Sequence, residues 1–349
     1  MNAFLKKIAS WIYGTGVWFH NFLYNSGILK SRTFDIPIIC VGNITVGGTG
    51  KTPVAEMIIA HMSKRYNVAL LSRGYGRRTK GYREVKADDS YRDVGDEPLQ
   101  IKRKFRSVPV VVCEDRVKGV ERIMQEFPEV NLIVMDDGFQ HRRIEAKINI
   151  VVVDSTRPVE HDRLLPVGTL RDTLSSLSRA HYFVVSKCRK DMSPLDRSLH
   201  RKFLLRAAFQ KVYFTRCHSL PAKPLFPEAV SESGCSLSYR DEVIAMSGIG
   251  NPSVFVDGLE ERFKVVEQLN FDDHHIYRIR DLRMLLSLLA AHPSARIVMT
   301  EKDAVKLINS AKIPHALKER LFYIPIEMRY VEESDNAFLE NLEKDVRGN

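Results

Sequence analysis

The stretch IPIICVGNITVGGTGKTPVAEMIIAHM (residues 36–62) decides the fold: an apolar run ends in a glycine-rich turn that feeds straight into an amphipathic segment. The run reads as a buried strand and the segment as a helix. Gly47, Gly48 and Gly50 let the backbone curl so that successive N–H groups face phosphate oxygens, with the positive helix end behind them. Gly47, Gly48, Thr49, Gly50, Lys51 and Thr52 are therefore the expected nucleotide-binding loop, with Lys51 reaching the β/γ phosphates and Thr52 holding Mg²⁺. A strict GxxxxGK[ST] pattern needs a further glycine where Thr45 stands, so the match is to a variant Walker A loop.

Working outward, short runs rich in Val and Ile recur at 68–72, 108–113, 131–137, 148–154 and 182–187, with helical stretches between most of them. Fully apolar strands joined by crossovers predict a mostly parallel sheet covered on both faces, a P-loop NTPase-like α/β domain over 35–218. The Pro- and Ser-rich SLPAKPLFPEAVSESG (219–234) interrupts the pattern before strand-like runs resume at 243–249, 297–303 and 321–326. A linker near 215–235 and a second, smaller α/β domain over 219–349 are the expectation.

NLIVMDD (131–137) has the form of a Walker B strand, whose Asp136 and Asp137 would serve Mg²⁺ at the carboxyl edge of the sheet. A strand-end aspartate capping the next turn is the alternative. GDEP (95–98) and FDDHHIY (271–277) add Asp96, Glu97, Asp273, His274 and His275. On residue type alone these fit a solvated loop and a surface His pair as well as an acid–base site. Seven basic residues and no acid lie between Lys64 and Arg83, a solvated loop or a phosphate-binding stretch centred on Arg73.

The first 34 residues differ from the rest. From Ile8 to Leu29 there is no Asp, Glu, Lys or Arg, and both tryptophans of the chain, Trp11 and Trp18, lie there. Gly14, Gly16, His20, Asn21 and Asn25 interrupt the run, so the pattern fits an interfacial helix flanked by Lys6, Lys7, Lys30 and Arg32 better than a spanning one. A helix packed on its own domain is the competing reading, and the two are compatible. Over all 349 residues, 44% hydrophobic and 28% charged content excludes disorder and collagen-like architecture. A net charge of +10 calls for an anionic partner, and no nucleic-acid-binding pattern accompanies it. Five scattered cysteines, among them Cys235, suit neither a disulfide framework nor a zinc site and imply a reducing compartment.

In this order, VGNITVGGTGKTP, LSRGYGR, VGDEP, DDGFQHR, GTLRD (168–172), FDDHH and MTEKDAVK resemble the tetraacyldisaccharide 4'-kinase family, the lipid A 4'-kinases of Gram-negative bacteria. The resemblance implies a kinase at the cytoplasmic face of the inner membrane. It would use ATP and Mg²⁺ to phosphorylate the 4'-hydroxyl of a tetraacyldisaccharide 1-phosphate, a lipid substrate, and the expected form is a monomer. By the same correspondence Asp96 and His274 form a catalytic dyad, with Asp96 taking the hydroxyl proton. Lys51 and Thr52 hold phosphates and metal, and Arg73, Tyr75, Gln140, His141 and Arg171 line the site. Position 172 is Asp, where the family commonly has Glu, so no metal contact is assigned to it. Since Asp96 and His274 fall in different expected domains, the dyad would assemble only across a closed cleft. The GGTGKT core also resembles the ParA and MinD class of regulatory ATPases, whose loop carries a signature lysine where Val46 stands here.

Overall fold

The computed structural model describes residues 3–231, 236–309 and 313–348, and Cys235 lies outside them. Fourteen strands occur among these residues: β1 (Ile38–Gly42), β2 (Val68–Ser72), β3 (Arg83–Glu84), β4 (Val110–Val112), β5 (Leu132–Asp136), β6 (Ile148–Asp154), β7 (Tyr182–Ser186), β8 (Lys211–Ser219), β9 (Lys223–Pro224), β10 (Glu242–Ser247), β11 (Lys264–Asn270), β12 (Arg296–Thr300), β13 (Leu321–Ile324) and β14 (Ile326–Tyr330). They form a nine-stranded sheet in the order β14-β8-β7-β6-β1-β5-β2-β4-β3 and a five-stranded sheet in the order β11-β10-β12-β13-β9.

The fold is α/β with mostly parallel pairing, as the apolar runs predict. β1, β2, β4, β5 and β7 are buried at every position, which is the condition of a parallel sheet covered on both faces. β1 lies between β5 and β6, parallel to both, so the glycine-rich turn leaves from the middle of the sheet. That is where open α/β sheets place their ligands.

The structure departs from the expected linker. Lys211–Ser219 is a strand, parallel to β7, whose mixed composition hides it from a search for apolar runs. The chain also returns: β14 pairs antiparallel with β8, and the terminal helix Ala337–Arg347 buries Phe338, Leu342 and Val346 in the core of the large sheet. Residues 219–349 thus supply the whole five-stranded sheet and also the last strand and a covering helix of the first one.

The helix Ala3–Asn25 lies against the large lobe by a polar row. Ser10 Oγ donates to the Leu164 carbonyl (2.8 Å), Tyr13 Oη to the Arg171 carbonyl (2.9 Å), and Asn21 Nδ2 to Asp172 Oδ1 (2.8 Å). Its outer face leaves Phe4, Leu5, Ile8, Trp11, Ile12, Trp18, Phe19 and Phe22 exposed. Among the described residues no helix is long and apolar enough to cross a membrane.

Because Phe338 is fully buried in the large lobe, Phe338→Ala should cost about 3–5 kcal/mol. Urea unfolding followed by far-UV circular dichroism should show a lowered midpoint in the transition of the large lobe.

Candidate active site

Asn43 follows β1 directly and is fully buried. Its Nδ2 donates to Thr49 Oγ1 at 2.9 Å, and the Thr49 carbonyl accepts from Ser186 Oγ at 2.6 Å, so the loop is fastened at both ends to the sheet. Gly50, at φ 86°, closes the turn; a Cβ there would sit in the left-handed region and 3.3 Å from Ser186 Oγ. The helix Lys51–Met62 starts at the next residue, and its first-turn N–H groups have no acceptor inside the helix. They and Lys51 are the donors an anion meets. Thr52, in that first turn, is buried.

At the end of neighbouring β5, two adjacent carboxylates have opposite surroundings. Asp136 is fully buried, and its Oδ1 has no hydrogen-bond partner. Burial, reinforced by the charges of Glu97 and Asp137, raises its carboxyl to about 7. Asp137, at φ 49°, turns the other way and accepts both arms of the Arg171 guanidinium, at 2.7 and 3.1 Å, with Lys51 Nζ at 3.4 Å. Burial would raise it too, but Arg171 and Lys51 overcome that and hold it well below the usual carboxylate range. Arg171 also donates to Asn43 Oδ1, and Gln140 Nε2 donates to the Asn43 carbonyl (2.7 Å). Burial, with the nearby Arg116 charge, lowers His141 to about 4, so its ring is neutral near pH 7.

The third part spans the two lobes. Asp96 opens the helix Asp96–Lys104 behind Gly95, whose φ of 94° turns the chain sharply enough to bury the carboxylate. Asp96 Oδ1 accepts from the Glu97 amide at 3.0 Å, and Oδ2 lies 2.9 Å from Nδ1 of His274, which follows β11 at φ 59°. Burial alone would raise Asp96, but the His274 hydrogen bond and the Lys302 charge lower it. The same hydrogen bond raises His274. The Tyr75 ring lies 5.2 Å from the imidazole. Gly250 of the smaller lobe approaches the loop: a Cβ on it would stand 4.0 Å from the Gly48 nitrogen.

Lys51, Asp137, Arg171 and Gln140 thus meet around the loop, directly or through Asn43, and Asp96, His274 and Tyr75 meet across the lobes. Arg73 is exposed and contributes charge beside Arg116 and His141. Asp172 engages Arg179 (2.9 Å) and Asn21 and anchors the N-terminal helix. Sequence reasoning passed over Asn43, Asp154, Lys187 and Lys302. Lys187 Nζ bonds the Gly48 carbonyl and Asp154 Oδ2 (2.7 Å). Asp154 ends an apolar strand and Lys187 directly follows another, the same signal that exposed Asp136.

Residues 2–347 match the family described as tetraacyldisaccharide-1-P 4'-kinase. The chain belongs to this family. It is 38% identical over 344 residues to a Phocaeicola vulgatus protein named tetraacyldisaccharide 4'-kinase, covering 97% of this chain and 94% of that one. A Porphyromonas gingivalis protein of the same name is 37% identical over 350 residues, covering 98% and 96%. Among solved structures, that of LpxK from Aquifex aeolicus in complex with ATP is similar with a TM-score of 0.73 and 26% identity, covering 97% of both chains.

In this family member Arg171 joins the acidic strand to the loop through a planar fork that lysine cannot reproduce. Arg171→Lys should weaken ATP binding by about tenfold or more, read by isothermal titration calorimetry, with little change in melting temperature.

Proposed function

We propose that this chain transfers the γ-phosphoryl group of ATP to the 4'-hydroxyl of a tetraacyldisaccharide 1-phosphate, a step of lipid A biosynthesis. The observation that carries this reading is the 2.9 Å contact between Asp96 and His274, which joins an acid–base pair across the lobes beside a phosphate-binding loop. The loop amides and Lys51 hold the transferring phosphates. Asp96 accepts the proton of the 4'-hydroxyl, the freed oxygen bonds to the γ-phosphorus, and the bond to the β-phosphate oxygen breaks to release ADP. His274 orients the Asp96 carboxylate, and the nearby lobes exclude water from the transfer.

The residues fit Mg²⁺. Asp136 Oδ1 is a buried carboxylate oxygen without a partner at the strand end beside the loop. A magnesium ion shares few carboxylates with phosphates and water. Thr52, Asp136 and Asp137 would hold it, and it would supply charge neutralisation on the β and γ oxygens. Gln140 and Arg171 keep Asn43 and Asp137 in place, while Arg73, Tyr75 and the neutral His141 line the approach.

The exposed aromatic and aliphatic face of the helix Ala3–Asn25 supports a membrane-surface placement at the cytoplasmic face of the inner membrane, where ATP meets a lipid acceptor. The partner is this lipid and no nucleic acid. The reading takes the chain to act as a monomer.

With Mg²⁺ and γ-labelled ATP in mild detergent, label should enter the 4' position of tetraacyldisaccharide 1-phosphate. Lys51→Ala and Asp96→Ala should each lose about a hundredfold or more of that rate. ATP hydrolysis at the same rate with and without acceptor, and no labelled lipid, would overturn the reading in favour of a regulatory ATPase.

A further inference from the structure

Lys302 stands second in the helix Glu301–Ile308 of the smaller lobe, and only 16% of its side chain is exposed. Its ammonium carries three protons and faces three acceptors: Asp273 Oδ1 at 3.1 Å, His274 Nε2 at 3.3 Å and Glu97 Oε1 at 3.4 Å. Burial would favour its neutral form, but Asp96, Glu97 and Asp273 outweigh that and keep it a cation. A cation with donors only can meet Nε2 only as a lone pair, so in the neutral ring of His274 the proton lies on Nδ1. That proton points at Asp96 Oδ2, which then accepts it, and the His274 bond and the Lys302 charge favour the ionised carboxylate.

We propose that Lys302 is a positioning residue of the phosphoryl transfer: donating to Nε2, it locks His274 in the Nδ1–H tautomer and leaves Asp96 as the dyad's proton acceptor. The inference rests on the kinase reading for its catalytic meaning, while the tautomer itself does not. His274 holds and orients the carboxylate, and the hydroxyl proton goes to Asp96.

Every charged or titratable neighbour of the dyad bears on this. From the Glu301 helix come Lys302 and Lys306, whose Nζ lies 4.0 Å from Asp96 Oδ2 and 3.0 Å from Asp303 Oδ1. Glu97 adjoins Asp96, Asp273 adjoins His274, and Tyr75 covers the imidazole. Asp303 answers Lys306, whereas Lys302 is the cation at the imidazole nitrogen. Removing it lets both members of the dyad bind protons more readily, since both lose a nearby positive charge.

The test pairs kinetics with spectroscopy on the full chain. In the labelled-phosphate assay, the acid limb of the kcat/KM profile should move up by about one pH unit or more in Lys302→Met and return toward the native position in Lys302→Arg. A uniform loss at all pH values, with the limb unmoved, would make Lys302 a structural bridge and overturn the proposal. Independently of activity, the ring nitrogens of ¹⁵N-histidine-labelled protein near pH 8, with His274 assigned by its loss in His274→Gln, should report protonated Nδ1 and bare Nε2. The reverse pattern in the wild type would overturn the tautomer assignment even if Lys302→Met failed to fold. Absence of labelled lipid from the wild type, with the tautomer as expected, would remove the kinase reading and leave the lysine–histidine geometry standing.

Discussion

The meeting of the helices Asp96–Lys104 and Glu301–Ile308 is the constraint on which the site depends. One belongs to the large lobe and the other to the small, and Val305 of the second sits in the large lobe's core. Around that apolar contact, Lys104 pairs with Glu56 (2.6 Å), and Lys302 reaches Glu97. Asp96 is buried against a cation and an imidazole from the other lobe; a carboxylate buried without such partners would be costly to keep ionised. The lobes and the dyad therefore stabilise one another: the charge proposed to accept the hydroxyl proton is also part of the joint.

Much of the fold could be read from the chain because parallel sheets impose a strong pattern. Strands such as β5 and β6, buried on both faces, must be apolar throughout, and runs like NLIVMDD and INIVVVD stand out for that reason. β8 and β14 did not stand out. They pair with each other at the sheet's edge, where one side is partly wet, so Lys, Arg, His and Glu are tolerated along them. A strand of mixed composition next to a Pro-rich stretch reads as linker. The return of the terminal helix to the first lobe left no local mark either, since an amphipathic helix does not record which core it covers.

For the site, the residue types were legible and the environments were not. Asp136 and Asp137 look alike in the chain. One backbone step to a positive φ sends the second toward Arg171 and Lys51 and leaves the first buried without a full set of partners. Lys302 lies in a motif that could be quoted but not interpreted, because its meaning depends on three acceptors from two lobes converging on one ammonium. Nothing in linear spacing records that convergence. Asp172 is the converse case: a carboxylate in a motif beside the loop is bonded to Arg179 and to the first helix.

That first helix is stitched to the body at Ser10, Tyr13 and Asn21, and at Gly14 its backbone comes so close to Leu164 that a Cβ would lie 2.9 Å from the leucine methyl. Two of the three stitches land on the backbone of Arg171, whose own guanidinium grips Asp137, and on the next residue, Asp172. The helix is thus a strut rather than a tether, and if its exposed apolar row rests on a lipid surface as proposed, the phosphate loop stands at a set height above that surface. An acceptor sunk in such a surface would then have to present its sugar at this one height. In that placement, three hydrogen bonds would let depth of burial, as well as shape, select the acceptor.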